Sequence, residues 1–418
     1  MSQSKRIQSQ SGNLPDFENT EQAFAHLNSI QLKKALVLFS TVGSPVLVKI
    51  GKVLVNIALM LRIPIGWAIR PTVYSHFCGG ETIGECDSTI STLADNRVKT
   101  ILDYSAEGKD SESEWDLTKA EIMRAIQSTE GDDRHAFSVF KVSGLASTAL
   151  LEKVGASLKP LQGIESAHLS LSPAEKEAWS RVQARFYALC EESASIGKPV
   201  FIDAEESWVQ STIDALAESA MRKWNVNRTV VYNTVQLYRT DRLDYLKALT
   251  SMGESEGFQV GVKLVRGAYM EKEHERALDR GYASPIQPNK ATTDRDFNCA
   301  LEWCISHLDR IALCAGSHNE ESNALLCRKM SEMGIERNDE RIWFAQLLGM
   351  SDPISFNLAR SNYRVAKYVP YGPINETIPY LIRRAEENTS VAGQTSRELE
   401  LIRREKARRT DESVQNEK

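Results

Sequence analysis

The stretch FQVGVKLVRGAY, from Phe258 to Tyr269, decides the fold. Its β-branched residues read as a buried strand. The strand stops at Arg266 and Gly267, where a charge and a glycine open into a helical stretch. The same grammar recurs in TILDYSAEG from Thr100, FSVFKVSGL from Phe137, PVFIDAEES from Pro199 and TVVYNTVQLY from Thr229. It recurs again in IALCAGSHNEES from Ile311, RIWFAQLLGMSD from Arg341 and YRVAKYVPYG from Tyr363. Eight strand candidates, mostly separated by enough chain for a helix, are what an α/β (β/α)8 TIM barrel requires. A doubly wound sheet is the alternative that periodicity leaves open, and the count of eight favours the barrel.

The spacers carry further expectations. Ala174–Ile196 and Trp208–Lys223 read as helices, with recurring apolar positions beside Glu, Arg and Gln. Gly108–Asp116 reads as a charged surface loop, and Gly281–Asp294, rich in turn formers, as a flap near the barrel mouth. Residues 1–98 form an N-terminal helical region. Within it, Ser44–Pro71 is a long apolar stretch interrupted by Lys49, Lys52, Arg62 and Arg70. Two readings stay open for this stretch: a helix buried against the main domain, or a basic-rimmed helix resting on a membrane surface. The barrel occupies 99–394, and 395–418 is a helical tail that frays into a polar terminus.

With 418 residues there is room for one large core plus a smaller region. The net charge of −5 gives no general attraction to nucleic acid. Seven cysteines without a CxxC pair read as thiols in a reducing compartment, Cys314 as a buried core residue. The first thirteen residues lack the apolar core of a signal peptide and the long Arg-rich amphipath of a transit peptide.

Lys141, Asp203, Gln236, Lys263, Arg266, Tyr269, His318, Gln346 and Tyr368 all fall at or just past C-terminal strand ends. That is the face where a barrel assembles its reaction centre. Singly, each has a structural reading: Asp203 as a cap or ion-pair partner, Tyr368 as packing, His318 as a donor to a backbone carbonyl. Beyond the last strand, YVPYGPINETIPYLIRRAEEN from Tyr368 to Asn388 holds an N-cap candidate, Asn375, and adjacent guanidiniums at Arg383 and Arg384. These form a carboxylate clamp suited to a small anionic substrate. The sequence contains no GxSxG elbow, no GxxxxGK[ST] loop and no histidine set with metal-ligand spacing. Asp203 and Glu205, placed on one face of a strand, suit a hydrolase poorly beside so many cations. An aldolase would need Lys141 or Lys263 as its Schiff-base lysine.

VFIDAEES, YNTVQLYR, VKLVRGAYM, GSHNEESN, AQLLGM and AKYVPYGP followed by YLIRRAEEN resemble the proline dehydrogenase family, over roughly Thr100 to Asn388 and in the family's order. The resemblance implies a distorted (β/α)8 barrel holding FAD noncovalently over the strand ends. It implies hydride transfer from L-proline to the flavin, giving 1-pyrroline-5-carboxylate, with electrons passed to a membrane quinone. It matches Arg383, Arg384 and Lys141 to groups that grip the proline carboxylate, and Glu387 to the acid that steadies the arginines. Tyr269, Tyr368 and Leu348 match the walls of the ring pocket, and Asp203 its acidic position. Gln236, Lys263, Arg266, Gly267, Ala268, Ser317, His318, Asn319 and Gln346 match the cofactor side, to which Asp203 also belongs. Tyr368 favours proline over hydroxyproline, because hydroxyproline-preferring relatives carry a smaller residue there.

The resemblance is to the single-function, eukaryotic-type branch, whose product leaves for a separate pyrroline-5-carboxylate dehydrogenase. The leader favours a bacterial cytoplasmic protein peripheral on the inner membrane, with the matrix side of the mitochondrial inner membrane as the alternative. Hydroxyproline dehydrogenase and a non-redox amino-acid-binding barrel are the competing functions.

Overall fold

The computed structural model describes residues 14–61, 65–105, 110–158, 161, 163–164, 171–390 and 394–416. Eight parallel strands close into a barrel in sequence order: β1 Val98–Tyr104, β2 His135–Phe140, β3 Val200–Ile202, β4 Val231–Gln236, β5 Val260–Val265, β6 Ile311–Gly316, β7 Ile342–Leu347 and β8 Val365–Tyr371. Each coincides with one of the eight segments expected to hold a strand, with β1 and β2 each starting two residues early. Closure excludes the doubly wound sheet. β2, β4 and β8 are buried along their whole length, as strands sandwiched between a barrel interior and covering helices must be.

The chain divides into two compact units, one of Thr100–Ser317 with Glu340–Trp343, the other of Met1–Lys99, His318–Asp339 and Phe344–Lys418. Within the first, Phe137, Phe201, Tyr232 and Trp343 converge from β2, β3, β4 and β7. The Phe137 and Phe201 rings stack at 4.1 Å, and Tyr232 and Trp343 each meet Phe137 edge-on at 5.3 Å. This aromatic layer fills the space between strands near their N-terminal ends, and ring-edge packing adds to the area it buries. Helices Pro173–Ser195 and Ser207–Trp224 appear where the apolar spacing put them. The first is opened by a Ser172/Glu175 capping box. The second has its leading N–H satisfied by the buried carboxylate of Glu273, which accepts from the Ser207 amide at 2.6 Å.

Several local expectations are corrected. Gly108–Asp116 is not all loop: Ser111 caps a helix that runs Glu112–Gln127. The flap of Gly281–Asp294 ends early, because Asn289 caps helix Lys290–Ser306 by accepting from the Thr292 amide. Asn375 is not a cap but lies inside helix Ile374–Ser390, whose first N–H is met by Glu81 Oε2 at 3.2 Å. The tail is helical, as expected at its start, but helix Gln394–Asn416 runs on through the polar end and buries Leu401 and Ile402 against Ala23, Phe24, Leu32 and Phe39. Helix Pro45–Met60 is not a buried helix, since most of its large apolar side chains face outward.

Candidate active site

In the first unit the strand ends bring three charged residues together. Asp203 follows directly on β3, outside the strand itself, so Asp203 and Glu205 do not share a strand face. One carboxylate oxygen of Asp203 takes a hydrogen bond from Lys263 of β5, and the other lies 3.4 Å from Lys141 Nζ, just past β2. Burial raises the Asp203 carboxyl, but the Lys263 and Lys141 ammoniums outweigh it and hold the group below the ordinary carboxylate range. Lys263 is only 4% exposed and stands 5.0 Å over the Phe201 ring, so the aromatic layer forms the floor beneath it. Lys141 also lies 3.7 Å from Asp103, at the end of β1.

Gln236 closes β4, and its amide donates to the Glu205 carbonyl at 2.7 Å, which fixes the side chain at the rim. Glu205 in turn accepts from the Ser143 amide at 2.9 Å, and burial pushes its carboxyl up to about 7. Past β5, the Arg266 guanidinium is pinned by Asp294 at 2.7 Å and Ser317 at 2.8 Å and stacks 4.4 Å over Phe297. Gly267 has φ +138°, and a Cβ there would stand 2.3 Å from the Tyr238 ring. Only glycine fits that backbone. Gly267 and Ala268 are exposed, and Tyr269 sits at the N-cap of helix Met270–Arg280, half-buried.

The second unit carries the remaining residues. Tyr368 on β8 is 7% exposed, and its carbonyl accepts from the Leu348 amide at 2.8 Å. Gln346 on β7 accepts from Ser355 at 2.9 Å. The turn from Leu347 to Asp352 is fastened by four side chains. Lys367 donates to the carbonyls of Leu347 and Met350 and to Asp352. His76 bonds the Gly349 carbonyl, His318 bonds the Ser351 hydroxyl at 2.8 Å, and Glu398 accepts from the Ser351 amide at 3.0 Å. Together they hold Ser351 at φ +53°, a strained angle for a residue with a side chain. The His318 ring thus serves the turn through the Ser351 hydroxyl. Asn319 caps helix Glu320–Glu332. Arg384 is 8% exposed with its guanidinium 5.1 Å over Tyr380, and Arg383 beside it is half-buried. Helix Ile374–Ser390 includes Glu387, whose side chain lies outside the described ones.

Sequence reading missed Lys367, Glu398 and Asp294 as supports of the site. Each acts on residues 15 to 47 positions away. No local pattern marks such partners.

The first unit thus gathers two ammoniums, a guanidinium and an amide toward the C-terminal ends of β2, β4 and β5, the ammoniums paired with Asp203 and the guanidinium with Asp294, beside exposed backbone at Gly267. The class this defines is a closed parallel (β/α)8 barrel with charged side chains gathered toward its C-terminal strand ends. Residues 86–397 match the family model described as proline dehydrogenase, and the chain belongs to that family.

Among curated proteins it is 36% identical to the carbapenem antibiotics biosynthesis protein CarD of Pectobacterium carotovorum, over 81% of this chain and 84% of that one. It is 32% identical to mitochondrial proline dehydrogenase 1 of Dictyostelium discoideum, over 84% of this chain and 67% of that one. It is 30% identical to hydroxyproline dehydrogenase of Xenopus laevis, over 91% and 88%. Among solved structures, proline utilization A from Bdellovibrio bacteriovorus superposes with a TM-score of 0.68 at 21% identity, covering 93% of this chain. This chain spans 40% of that one, and the likeness carries the fold.

Proposed function

We propose that this protein oxidises L-proline to 1-pyrroline-5-carboxylate with FAD as its bound acceptor, passes the electrons to a quinone, and releases its product to a separate pyrroline-5-carboxylate dehydrogenase. The observation that carries the reading is the coincidence of the family match with the strand-end cluster of Asp203, Lys141, Lys263, Gln236 and Arg266. Of the residues that the resemblance matches to the cofactor side, Lys263, Gln236, Arg266 and Ser317 would hold FAD. When bound, FAD supplies the acceptor for the hydride that leaves the proline ring.

The chain's own work is binding and orientation. The resemblance gives the substrate carboxylate to Arg383 and Arg384, with Lys141 as a further positive group and Glu387 steadying the arginines. Tyr269, Leu348 and Tyr368 form the apolar walls that fix the ring. Asp203, kept ionised by its two lysines, orients them and does not serve as a proton donor at neutral pH.

The Xenopus relative brings hydroxyproline into consideration. Tyr368, nearly buried and bulky, favours the unsubstituted ring. Relatives named mitochondrial, the Dictyostelium enzyme among them, support the mitochondrial placement over the bacterial one that the leader suggested.

An anaerobic absorbance titration of the purified holoprotein tests the reading. L-proline should bleach the flavin band and hydroxyproline should do so far less. A flavin band untouched by proline would overturn the substrate assignment, and a protein that cannot be loaded with FAD would overturn the cofactor.

A further inference from the structure

A chain of buried side chains links the segment after β3 to β4 and to helices Ser207–Trp224 and Arg242–Glu256. Gln210, 1% exposed, accepts from the Glu205 amide through Oε1 and donates to Asp214 Oδ1 through Nε2, each at 2.9 Å. Asn233 of β4 donates to the same Asp214 oxygen at 2.8 Å. The other Asp214 oxygen accepts from both terminal nitrogens of Arg242, at 2.9 and 2.8 Å. The Arg242 guanidinium lies 3.8 Å over the Tyr245 ring, whose hydroxyl donates to Glu218 at 3.0 Å. Asp214, Asn233, Arg242 and Tyr245 are all buried.

Each link has one possible polarity. A carboxylate only accepts and a backbone N–H only donates, so Gln210 must turn Nε2 to Asp214 and Oε1 to Glu205. Arg242 supplies the counter-charge that lets Asp214 stand in the interior. The consequence falls on Glu205. Its N–H goes to Gln210, its carbonyl accepts from the Gln236 amide at 2.7 Å, and its carboxyl accepts from the Ser143 amide. All three of its polar groups are taken. With Nε2 on that carbonyl, the Gln236 amide turns its Oε1 in another direction, and a flipped amide would set oxygen against oxygen. Apolar side chains of the same volume commonly fill such a space with no loss of stability. What they cannot do is fix the direction of a dipole at the end of β4.

We propose that Gln210 is a positioning residue for the ligand-binding end of β4: anchored by the Asp214–Arg242 pair, it fixes the Glu205 main chain and through it the direction of the Gln236 amide. The inference rests on the reading of Gln236 as a cofactor contact. It adds Gln210, Asp214 and Arg242, which lie outside every strand-end motif and act on Gln236 only through Glu205. The segment held in this way begins with Asp203, two residues before Glu205. The same anchor therefore steadies the anion shared by Lys141 and Lys263.

A double-mutant cycle on FAD release from the full-length holoprotein, followed as the rise in flavin fluorescence on dilution, tests the relay without turnover. Gln210→Met keeps the length of the side chain and removes both hydrogen bonds, and Gln236→Met does the same at the rim. Each single variant should release FAD about tenfold faster. The pair should do no worse than either one, because both lose the same interaction. Gln210→Glu, assayed at about pH 6 where a proton shared with Asp214 restores the donor, should stay within about threefold of wild type at that pH. Tyr245→Phe is the control. It loses the bonds to Glu218 and Asn233 but leaves Gln210 and the ring under Arg242, so it should lower Tm and leave FAD release unchanged.

Additive losses in the double variant, or a Gln210→Met protein that keeps its flavin as the wild type does, would overturn the proposal. So would a Gln210→Glu protein that releases flavin about tenfold faster than wild type, or a Tyr245→Phe protein as leaky as Gln210→Met, since the effect would then be one of general stability. If Gln236→Met releases flavin no faster than wild type, the cofactor role of Gln236 falls and the proposal with it. Coupled losses in a protein whose flavin L-proline does not bleach would uphold the positioning and sink the reaction.

Discussion

Asp203→Asn keeps the size of the side chain and removes an anion that faces both Lys263 and Lys141. The consequence is set by burial. Lys263 is 4% exposed, with the Phe201 ring as its floor, so its ammonium cannot exchange Asp203 for bulk water. Breaking a buried ion pair from one side costs about 3–5 kcal/mol, because a charge is left uncompensated. Lys141 suffers less, since a quarter of its side chain is exposed and Asp103 remains 3.7 Å away. For a chain of 418 residues the unfolding entropy converts this to a fall in Tm of about 3–6 °C.

Scanning calorimetry of the FAD-free protein reads the stability effect without the cofactor's own contribution. The partner experiment is Asp203→Leu with Lys263→Met, which removes both buried charges and should recover most of the loss. A single variant as stable as wild type, or a double variant worse than the sum of its parts, would refute the view that buried charge compensation holds this cluster together. The pH dependence follows the same logic. The folded carboxyl lies below its unfolded value, so its contribution is complete above the ordinary carboxylate range and is lost as pH falls through the folded value.

Glu205 has the opposite sign. Burial raises its carboxyl from 4.5 to about 7, so the folded state retains a proton that the unfolded chain releases, and stability falls as pH rises between those values, by up to roughly 3 kcal/mol. Glu205→Gln keeps the acceptor for the Ser143 amide and should flatten that slope in urea titrations at a series of pH values. Gly267→Ala forces a Cβ into the Tyr238 ring at an unfavourable φ and should cost about 2–4 kcal/mol, with weakened FAD retention measured by flavin release. Tyr368→Ser should lower kcat/KM for proline by about 10- to 100-fold and narrow the preference over hydroxyproline. An unchanged ratio would remove Tyr368 from substrate choice. Arg384→Met should raise KM for proline by about 100-fold or more, and retained affinity would take Arg384 out of the clamp.

The strands were legible because each buried run is β-branched and ends in a polar turn, a signal contained within about ten residues. Glycine at 267 was legible for the same reason, as was the pairing of Arg383 with Arg384. Helix starts were less so. Glu81 accepts from the first N–H of helix Ile374–Ser390 from 293 residues away, and Asn375, locally a good cap, is simply enclosed by a helix that begins before it. The apolar run of Pro45–Met60 is equally suited to a core and to a lipid face by composition. Only the packing of its other side decided which way the stripe points.

The sequence by itself determined the alternation of strand and helix, the placement of Lys141, Asp203 and Gln236 at strand ends, and the family; Lys263, expected at a strand end, lies inside β5. These depend on hydrophobic periodicity and motifs that are properties of contiguous chain. Tertiary structure alone decided that Asp203 is shared by two lysines, that Lys367, His76, His318 and Glu398 converge on one strained turn, and that the tail is an anchored helix. Buried charges and orphan amides must be satisfied, but the partner that satisfies them is set by proximity in space, which a chain of this length leaves open until it folds.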